Sequence, residues 1–291
     1  MDPGAGAELS PTVSIAVLNY ERRDVLRGAL ESAGRQRWPG LEIIAVDNAS
    51  ADGSDAMVRE EFPHVRLVRL PENVGAAARN AGVAAARGDI VFTLDNDVRF
   101  TTADDVERGV AVFERHPGAA VVNFMIVGPD GRLSRRDWCH PRDPDRWAAS
   151  EFETSYVLEG ASACRRAVFL AAGGYWPPFF IGHEGLDLAL RLLEAGHALR
   201  YTPAVRVQHL VEASVRPSSR IYYTFTRNAI WLALRNHRPL AAAAAIAQDV
   251  ALMGFCAARA GQLPAYARGL RDALRGAPAA LGSRRALSPA A

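Results

Sequence analysis

Lysine is absent from this chain: all 34 basic residues are arginine, and alanine is abundant, a composition that follows a GC-rich genome more than any function. Cysteine is scarce as well. Cys139, Cys164 and Cys256 stand far apart with no CxxC pair, which argues against a zinc site or a disulfide framework and fits a reducing cytosol. The formal net charge of +2 is too small to make nucleic acid a main partner, although the segment after Tyr201 is rich in arginine and nearly free of acids. The opening MDPGAGAELSP has neither the basic nor the apolar region of a signal peptide. No G-x-G-x-x-G follows a strand, which argues against a dinucleotide-dependent oxidoreductase. No glycine- and arginine-rich phosphate loop follows the first strand either; NYERRDVL stands there, with no glycine until Gly28, against a nucleotidyltransferase. The longest apolar run, residues 239–260, carries Gln248 and Asp249 near its middle. A central Asp is costly in a spanning helix, so an ordinary packing helix or one resting on a membrane surface is expected.

What is present is a regular alternation. The 291 residues, 49% of them hydrophobic, are enough for one large domain or a domain with an appendage. TVSIAVLNY, LEIIAVDNAS, VRLVRL and DIVFTLDND read as strands, separated by a helical pattern through Val25, Leu26, Ala29 and Leu30, then by SDAMVREEF and VGAAARNAGVAAAR. Such an order predicts an α/β fold with a mostly parallel sheet and helices on both faces, where ligands bind at the carboxyl ends of the strands. Three strands end in polar residues: Asn19 and Tyr20, Asp47 and Asn48, Asp95 and Asp97. Residues 128–156 read as a long loop or short irregular strands of the kind that line a site. EGLDLALRLLEAGH reads as a helix with Leu186, Leu190 and Leu193 on one face and Gly196 as its stop, and ALRYTPAVRVQHL as a strand ending near His209.

In a strand, residues i and i+2 point to the same side, so Asp95 and Asp97 are expected to face one cleft with Asn96 turned away. Two hard oxygen donors suit Mg²⁺ or Mn²⁺ bridging a diphosphate, the ion acting as a Lewis acid on a departing phosphate. A helix N-cap or a turn would use the same residue types.

The ordered blocks VSIAVLNYER, LEIIAVDNASADGS and ENVGAAARNAGVAAARGDIVFTLDNDV resemble the N-terminal half of family 2 glycosyltransferases, which have the GT-A fold. GGYWPPFFIGHEGLDLALRLLEAGHALRYTPAVRVQH is similar to that family's acceptor-side region, so the resemblance spans roughly residues 12–236. It implies that Asn19 and Tyr20 contact the nucleotide base, Tyr20 by stacking, and that Asp47 bonds the base or ribose beside Asn48, which replaces a second acid. Asn73 and Arg79 fall in the N-x-G…R-N block, where an arginine can meet diphosphate charge. Asp95 and Asp97 occupy the DxD positions, Asp95 nearer the ribose and Asp97 on the metal, with His209 matching a histidine that completes the metal site.

One departure bears on mechanism. Where inverting relatives carry Glu-Asp, with the second acid as base, this chain has Glu184 and Gly185. Glu184 is the expected replacement base; Asp187 is the next candidate, or a helix-holding partner of Arg191. The resemblance implies a divalent-metal-dependent transfer from a nucleoside-diphosphate sugar to a small-molecule, lipid-linked or glycan acceptor. Retaining transfer on the same fold and a non-catalytic sugar-nucleotide-binding relic are the alternatives. The expected layout is a disordered N-terminus at 1–11, a catalytic domain at 12–236 (nucleotide half to about 100, acceptor half after it), a helical extension at 237–275 and a disordered tail at 276–291. A cytoplasmic enzyme is expected, with peripheral contact at the inner face of a membrane through C-terminal helices that Arg235, Arg238, Arg259, Arg268, Arg271 and Arg275 flank.

Overall fold

A computed structural model describes residues 10–210 and 219–285. The expected disordered N-terminus lies largely, and the end of the expected tail wholly, outside the described residues. The first half alternates as the sequence predicts: β1 (Val13–Asn19), α1 (Arg23–Gly34), β2 (Glu42–Asp47), α2 (Ser54–Glu61), β3 (Arg66–Arg69), a 3-10 turn at Gly75–Ala78, α3 (Arg79–Ala85) and β4 (Ile90–Asp95). There follow β5 (Val98–Phe100), α4 (Asp105–Arg115), β6 (Ala119–Val127), the single turn α5 (Pro144–Trp147) and β7 (Phe152–Glu153). Then come β8 (Ala161–Arg165), α6 (Arg166–Ala171), α7 (Glu184–Glu194) and β9 (Ala198–His209), and three helices follow: α8 (Ser219–Asn236), α9 (Pro239–Arg259) and α10 (Leu263–Gly282).

The strands form one sheet in the order β3-β2-β1-β4-β8-β6-β9-β5, with β7 also on β9. β1, β2, β3 and β4 are mutually parallel, and β1 runs with Asn19 opposite Asp47 and Leu18 opposite Asp95. That register brings three strand ends to one level. Alternate side chains feed two cores, as the two-residue period of a strand requires. Ile15, Val17, Phe92 and Leu94 pack with Leu26 and Leu30 of α1 and Val110 and Phe113 of α4. Ala16, Val46 and Val91 pack with Val83 of α3 and Leu188 and Leu192 of α7. The leucine face read from the sequence is not the one against the sheet: Leu186 and Leu190 turn toward the C-terminal helices and Leu193 is exposed. Gly196, at φ +80, ends that helix region as expected.

Two antiparallel pairings complete the site. β8 runs against β4, which places the Glu159–Gly160 turn beside Asp95, whose N–H donates to the Gly160 carbonyl at 3.2 Å. β5 runs against β9 with Val98 opposite His209, which brings His209 up to Asp97.

The C-terminal helices depart from expectation in one respect, the extent of the last helix. α10 continues through Pro278 to Gly282, so residues 276–282 are helix rather than tail. A proline inside a helix costs a hydrogen bond and creates a clash. Here the cost is offset by packing on α8: Ala273 and Ala280 are fully buried, Gly276 lies against the Trp231 ring, and Trp231 Nε1 donates to the Ala273 carbonyl at 2.9 Å. α9 is not a buried packing helix; only Ala242 and Ala257 are enclosed, and Leu240, Leu252 and Phe255 are exposed.

Candidate active site

A cavity of about 750 Å³ opens at the carboxyl ends of β1, β2 and β4. Among the described residues, the non-glycine residues with positive φ are Glu21, Ala49, Phe180 and His183; Phe180 lines the cavity, and the others adjoin lining residues in sequence, Glu21 beside Tyr20, Ala49 beside Asn48 and His183 beside Glu184. Residues held in this sparsely populated region cluster at functional sites in general. Gly75 opens the 3-10 turn before α3, which approaches the Phe180 loop so closely that a Cβ would collide with the Phe180 carbonyl, which accepts the Ala76 N–H at 2.7 Å.

The donor-side residues expected from the sequence separate into two groups. Tyr20, Asn48, Asn73, Arg79 and Asp95 line the cavity. Tyr20 is 45% exposed, an aromatic face open to a stacking partner. Asn48 and Asn73 brace each other at 2.9 Å, and Asn48 Oδ1 accepts the Val74 N–H at 3.0 Å. Asn19 and Asp47 lie beneath the floor instead. Asn19 donates to Ser50 Oγ at 3.3 Å and accepts from Asn96 Nδ2 at 2.8 Å; Asp47 accepts the Ser50 N–H at 3.3 Å and faces Arg69 at 3.5 Å. Neither is among the residues that line the cavity.

Asp95 and Asp97 do not alternate as a strand would have them. β4 stops at Asp95, and Asn96 and Asp97 form a turn before β5. Asp95 turns to the buried guanidinium of Arg79. Asp97 pairs with Arg22 at 2.5 Å and lies 3.6 Å from His209 Nε2, while His209 Nδ1 is 3.0 Å from Asp137. Burial alone would depress the His209 pKa, but hydrogen bonds to Asp137 and Asp97 outweigh it and lift the value to about 9. The same imidazole holds Asp97 below the usual carboxylate range, against the effect of burial.

Among the described residues no group of three or more His, Cys, Asp or Glu side chains is arranged to hold a metal ion. The expected trio of Asp95, Asp97 and His209 is thus reduced to a pair, because Asp95 serves Arg79. A carboxylate and an imidazole whose other nitrogen is held by Asp137 fit a divalent ion that draws its remaining ligands from a diphosphate and water.

The expected catalytic acids part company. Glu184 lines the cavity, is only 5% exposed, and its buried Oε2 has no hydrogen-bond partner. Burial and, to a lesser extent, the Asp95 charge raise its pKa. Asp187 faces away, fully enclosed: Arg191 at 2.9 Å, Arg235 at 3.0 Å and Asn236 at 2.8 Å take up its two oxygens. Those cations hold its pKa down although burial opposes them. It is the helix-holding partner of Arg191, extended to α8, and Arg235 is therefore buried rather than flanking an exposed helix.

Several cleft residues were not singled out from the sequence. Arg22 lies in VSIAVLNYER and NYERRDVL, where it was given no role, and Glu159 lies in a stretch given no functional reading. Arg220, Tyr223 and Arg227 come from α8. An aromatic and arginine pattern, RIYYTFTRN, was their one signal.

The family model described as glycosyl transferase family 2 matches residues 14–171. The chain is 39% identical over 129 residues to the succinoglycan biosynthesis protein ExoO of Rhizobium meliloti (strain 1021), covering 43% of this chain and 36% of that protein. It is 32% identical over 180 residues to the pre-mycofactocin glycosyltransferase of Mycobacterium tuberculosis, covering 58% of this chain and 37% of that protein. It therefore spans little more than a third of the length of either relative. Among solved structures, the mannosyltransferase PcManGT of Pyrobaculum calidifontis, in complex with GDP-Man and Mn²⁺, superposes with a TM-score of 0.60 at 21% identity, over 95% of this chain and 84% of that one. The sheet with its flanking helices is the GT-A fold of such enzymes. With more than half of its residues matched and the cleft at the strand ends where that fold places it, this chain belongs to glycosyl transferase family 2.

Proposed function

We propose that this protein is a glycosyltransferase that moves a sugar from a nucleoside-diphosphate sugar to an acceptor hydroxyl. The carrying observation is one cavity that gathers an exposed aromatic face at Tyr20, the Arg79–Asp95 pair, the Asp97–His209 pair and the buried carboxylate of Glu184. The names of the relatives and the GDP-Man complex of PcManGT support the donor class.

In this reading Tyr20 stacks on the base, while Asn48 and Asn73 hold the rim that receives the ribose. Arg79, oriented by Asp95, meets diphosphate charge. Mn²⁺ or Mg²⁺ held by Asp97 and His209 would supply Lewis-acid stabilisation of the departing diphosphate. An ion would bind the unprotonated Nε2 of His209, and Asp137, which lies 3.0 Å from Nδ1, would fix the ring in that orientation. The transfer is inverting, with Glu184 taking the proton of the acceptor hydroxyl. Residues 12–236 form the catalytic unit and α9 with α10 a helical extension that rests on the inner face of a membrane, consistent with a lipid-linked acceptor.

A panel of nucleotide sugars, assayed for transfer or donor hydrolysis with Mn²⁺, with Mg²⁺ and in excess EDTA, tests the proposal. One donor should be consumed, and EDTA should abolish its consumption. Binding of no nucleotide sugar under any condition removes the transferase reading; full turnover in EDTA removes the metal alone. NMR of the anomeric proton of the product checks the stereochemistry, and a retained configuration excludes Glu184 as the base of a single displacement.

A further inference from the structure

Glu159 has no place in the reading above, yet its surroundings are tightly specified. The Leu158 N–H donates to Asn123 Oδ1 at 2.7 Å, the Glu159 carbonyl accepts from Thr93 Oγ1 at 2.8 Å, and the Gly160 carbonyl accepts the Asp95 N–H at 3.2 Å. This backbone is fixed between β4 and β6. From it the Glu159 side chain enters the cavity, where Oε1 accepts the N–H of Gly185 at 2.7 Å. A Cβ on Gly185 would collide with that oxygen and with the Val157 carbonyl. The space in front of the second residue of α7 is therefore filled by a carboxylate from another element.

Glu184 is the adjoining residue, and its Oε2 is buried without a partner. The two carboxyl groups influence each other: burial and the charge of Glu184 raise the pKa of Glu159, with Arg79 opposing. A bond from a first-turn N–H to Glu159 would by itself mark a fastener for the start of α7. It does not account for a second carboxylate, unpartnered, in the same cleft. Two carboxylates facing one cavity from Glu159 and from Glu184, next to the Gly185 N–H that Glu159 accepts, repel each other when both are charged, and uptake of one proton from a substrate relieves that repulsion.

We propose that Glu159 is a second catalytic carboxylate, forming with Glu184 a single proton-accepting pair for the acceptor hydroxyl. This rests on the transferase reading. The acceptor oxygen forms its bond to the anomeric carbon as the bond from that carbon to the diphosphate oxygen breaks, and the electron pair leaves with the nucleoside diphosphate. The hydroxyl proton passes to the free oxygen of Glu184 and is shared with Glu159, which Gly185 keeps in place. It passes to water after the products leave.

The test compares Glu159→Gln, Glu184→Gln and the double variant in the full chain. Glutamine at 159 still offers an oxygen to the Gly185 N–H, so the melting temperature should stay near that of the wild type. Each single variant should lower kcat about 100-fold, the range of one general base, with donor affinity by calorimetry unchanged. The double variant should be little worse than the poorer single one, because members of one catalytic unit are not additive. Near-normal kcat in Glu159→Gln, or a double loss equal to the product of the single losses, overturns the pair. Glu159→Asp, which keeps the charge but shortens the reach, should retain more turnover than Glu159→Gln; the reverse order marks a fastener and also overturns it. Donor binding to the wild type reads the transferase assignment separately, so a protein that binds donor yet ignores Glu159→Gln refutes the pair alone.

Discussion

Asp187 has no exposure, and its two oxygens are taken up by Arg191, Arg235 and Asn236 across α7 and α8. Removing its charge leaves two buried guanidinium groups without a counter-ion, and breaking such a network typically costs about 3–5 kcal/mol. Asp187→Asn should therefore lower the unfolding free energy in urea by that order while the folded fraction keeps its donor affinity. A loss under about 0.5 kcal/mol, the range of ordinary surface substitutions, would show that the network carries no stability. His140 and His183 act through pH. Burial lowers the pKa of each to about 4, from 6.5 for a free imidazole. The unfolded chain binds these protons near pH 6.5, whereas the fold resists them until about pH 4. Their contribution is thus intact above pH 6.5 and is lost as pH falls through that window, at up to about 1.4 kcal/mol per pH unit for each ring. Glu159 and Glu184, whose carboxyls take up protons more readily in the fold, act in the opposite direction over this range, so the histidine contribution is read as a difference between variant and wild type. His140 sits among Trp138, Phe152 and Tyr201 with Nδ1 2.9 Å from Thr154 Oγ1, and His140→Phe should be less destabilised than the wild type on going from pH 7 to pH 5, whatever it loses at both from that bond. An unchanged slope in the variant would mean that His140 is not a source of the acid sensitivity.

At the scale of elements, what could be read from the sequence follows from where the information lies. β1, β2 and β4 were legible because strands covered on both faces must be apolar almost throughout, and Ile15, Ile44 and Phe92 have no exposed surface. Their polar ends announced the cleft, since parallel register carries them to one level. The roles of Asn19 and Asp47 were not legible: a polar residue at a strand end looks the same whether it faces a ligand or bonds Ser50 beneath it. Strand periodicity placed Asp95 and Asp97 on one side, but one turn at Asn96–Asp97 ended the strand and broke the alternation. Glu159 was hidden because its partner, the Gly185 N–H, is 26 residues away, and a contact between distant segments leaves no local pattern. Pro278 suggested a tail because local propensity is visible in sequence while burial against Trp231 is not. For α9 the ambiguity was intrinsic, since length and hydropathy are the same in a core helix and an exposed one.

For the whole molecule, that exposed helix is the feature that internal packing does not explain. α9 is long and apolar enough by composition to cross a membrane, yet 11% of its most apolar stretch is buried. Leu240 is 88% exposed, and Leu252, Phe255 and, on α10, Leu274 are open as well. Asp249 lies within α9, where a spanning helix would carry it into the hydrocarbon, so contact with the membrane surface fits better than insertion. Arg238 and Arg259 stand exposed at the two ends of α9, and Arg268, Arg271 and Arg275 are exposed on α10. α8 joins this surface to the cleft, since it packs along both α9 and α10 and also lines the cavity with Arg220, Tyr223 and Arg227. The protein should co-sediment with anionic vesicles at low salt, more weakly with neutral ones, and progressively less as salt screens the arginines. Phe255→Glu should cut vesicle affinity at least about tenfold, because burying one large apolar side chain contributes roughly 1.5–3 kcal/mol. Its melting temperature and its turnover of a water-soluble acceptor should not change, since Phe255 is 61% exposed and lies outside the cavity. Absence of binding to anionic vesicles at low salt would refute the membrane surface, and equal binding by Phe255→Glu would place the contact elsewhere than on α9.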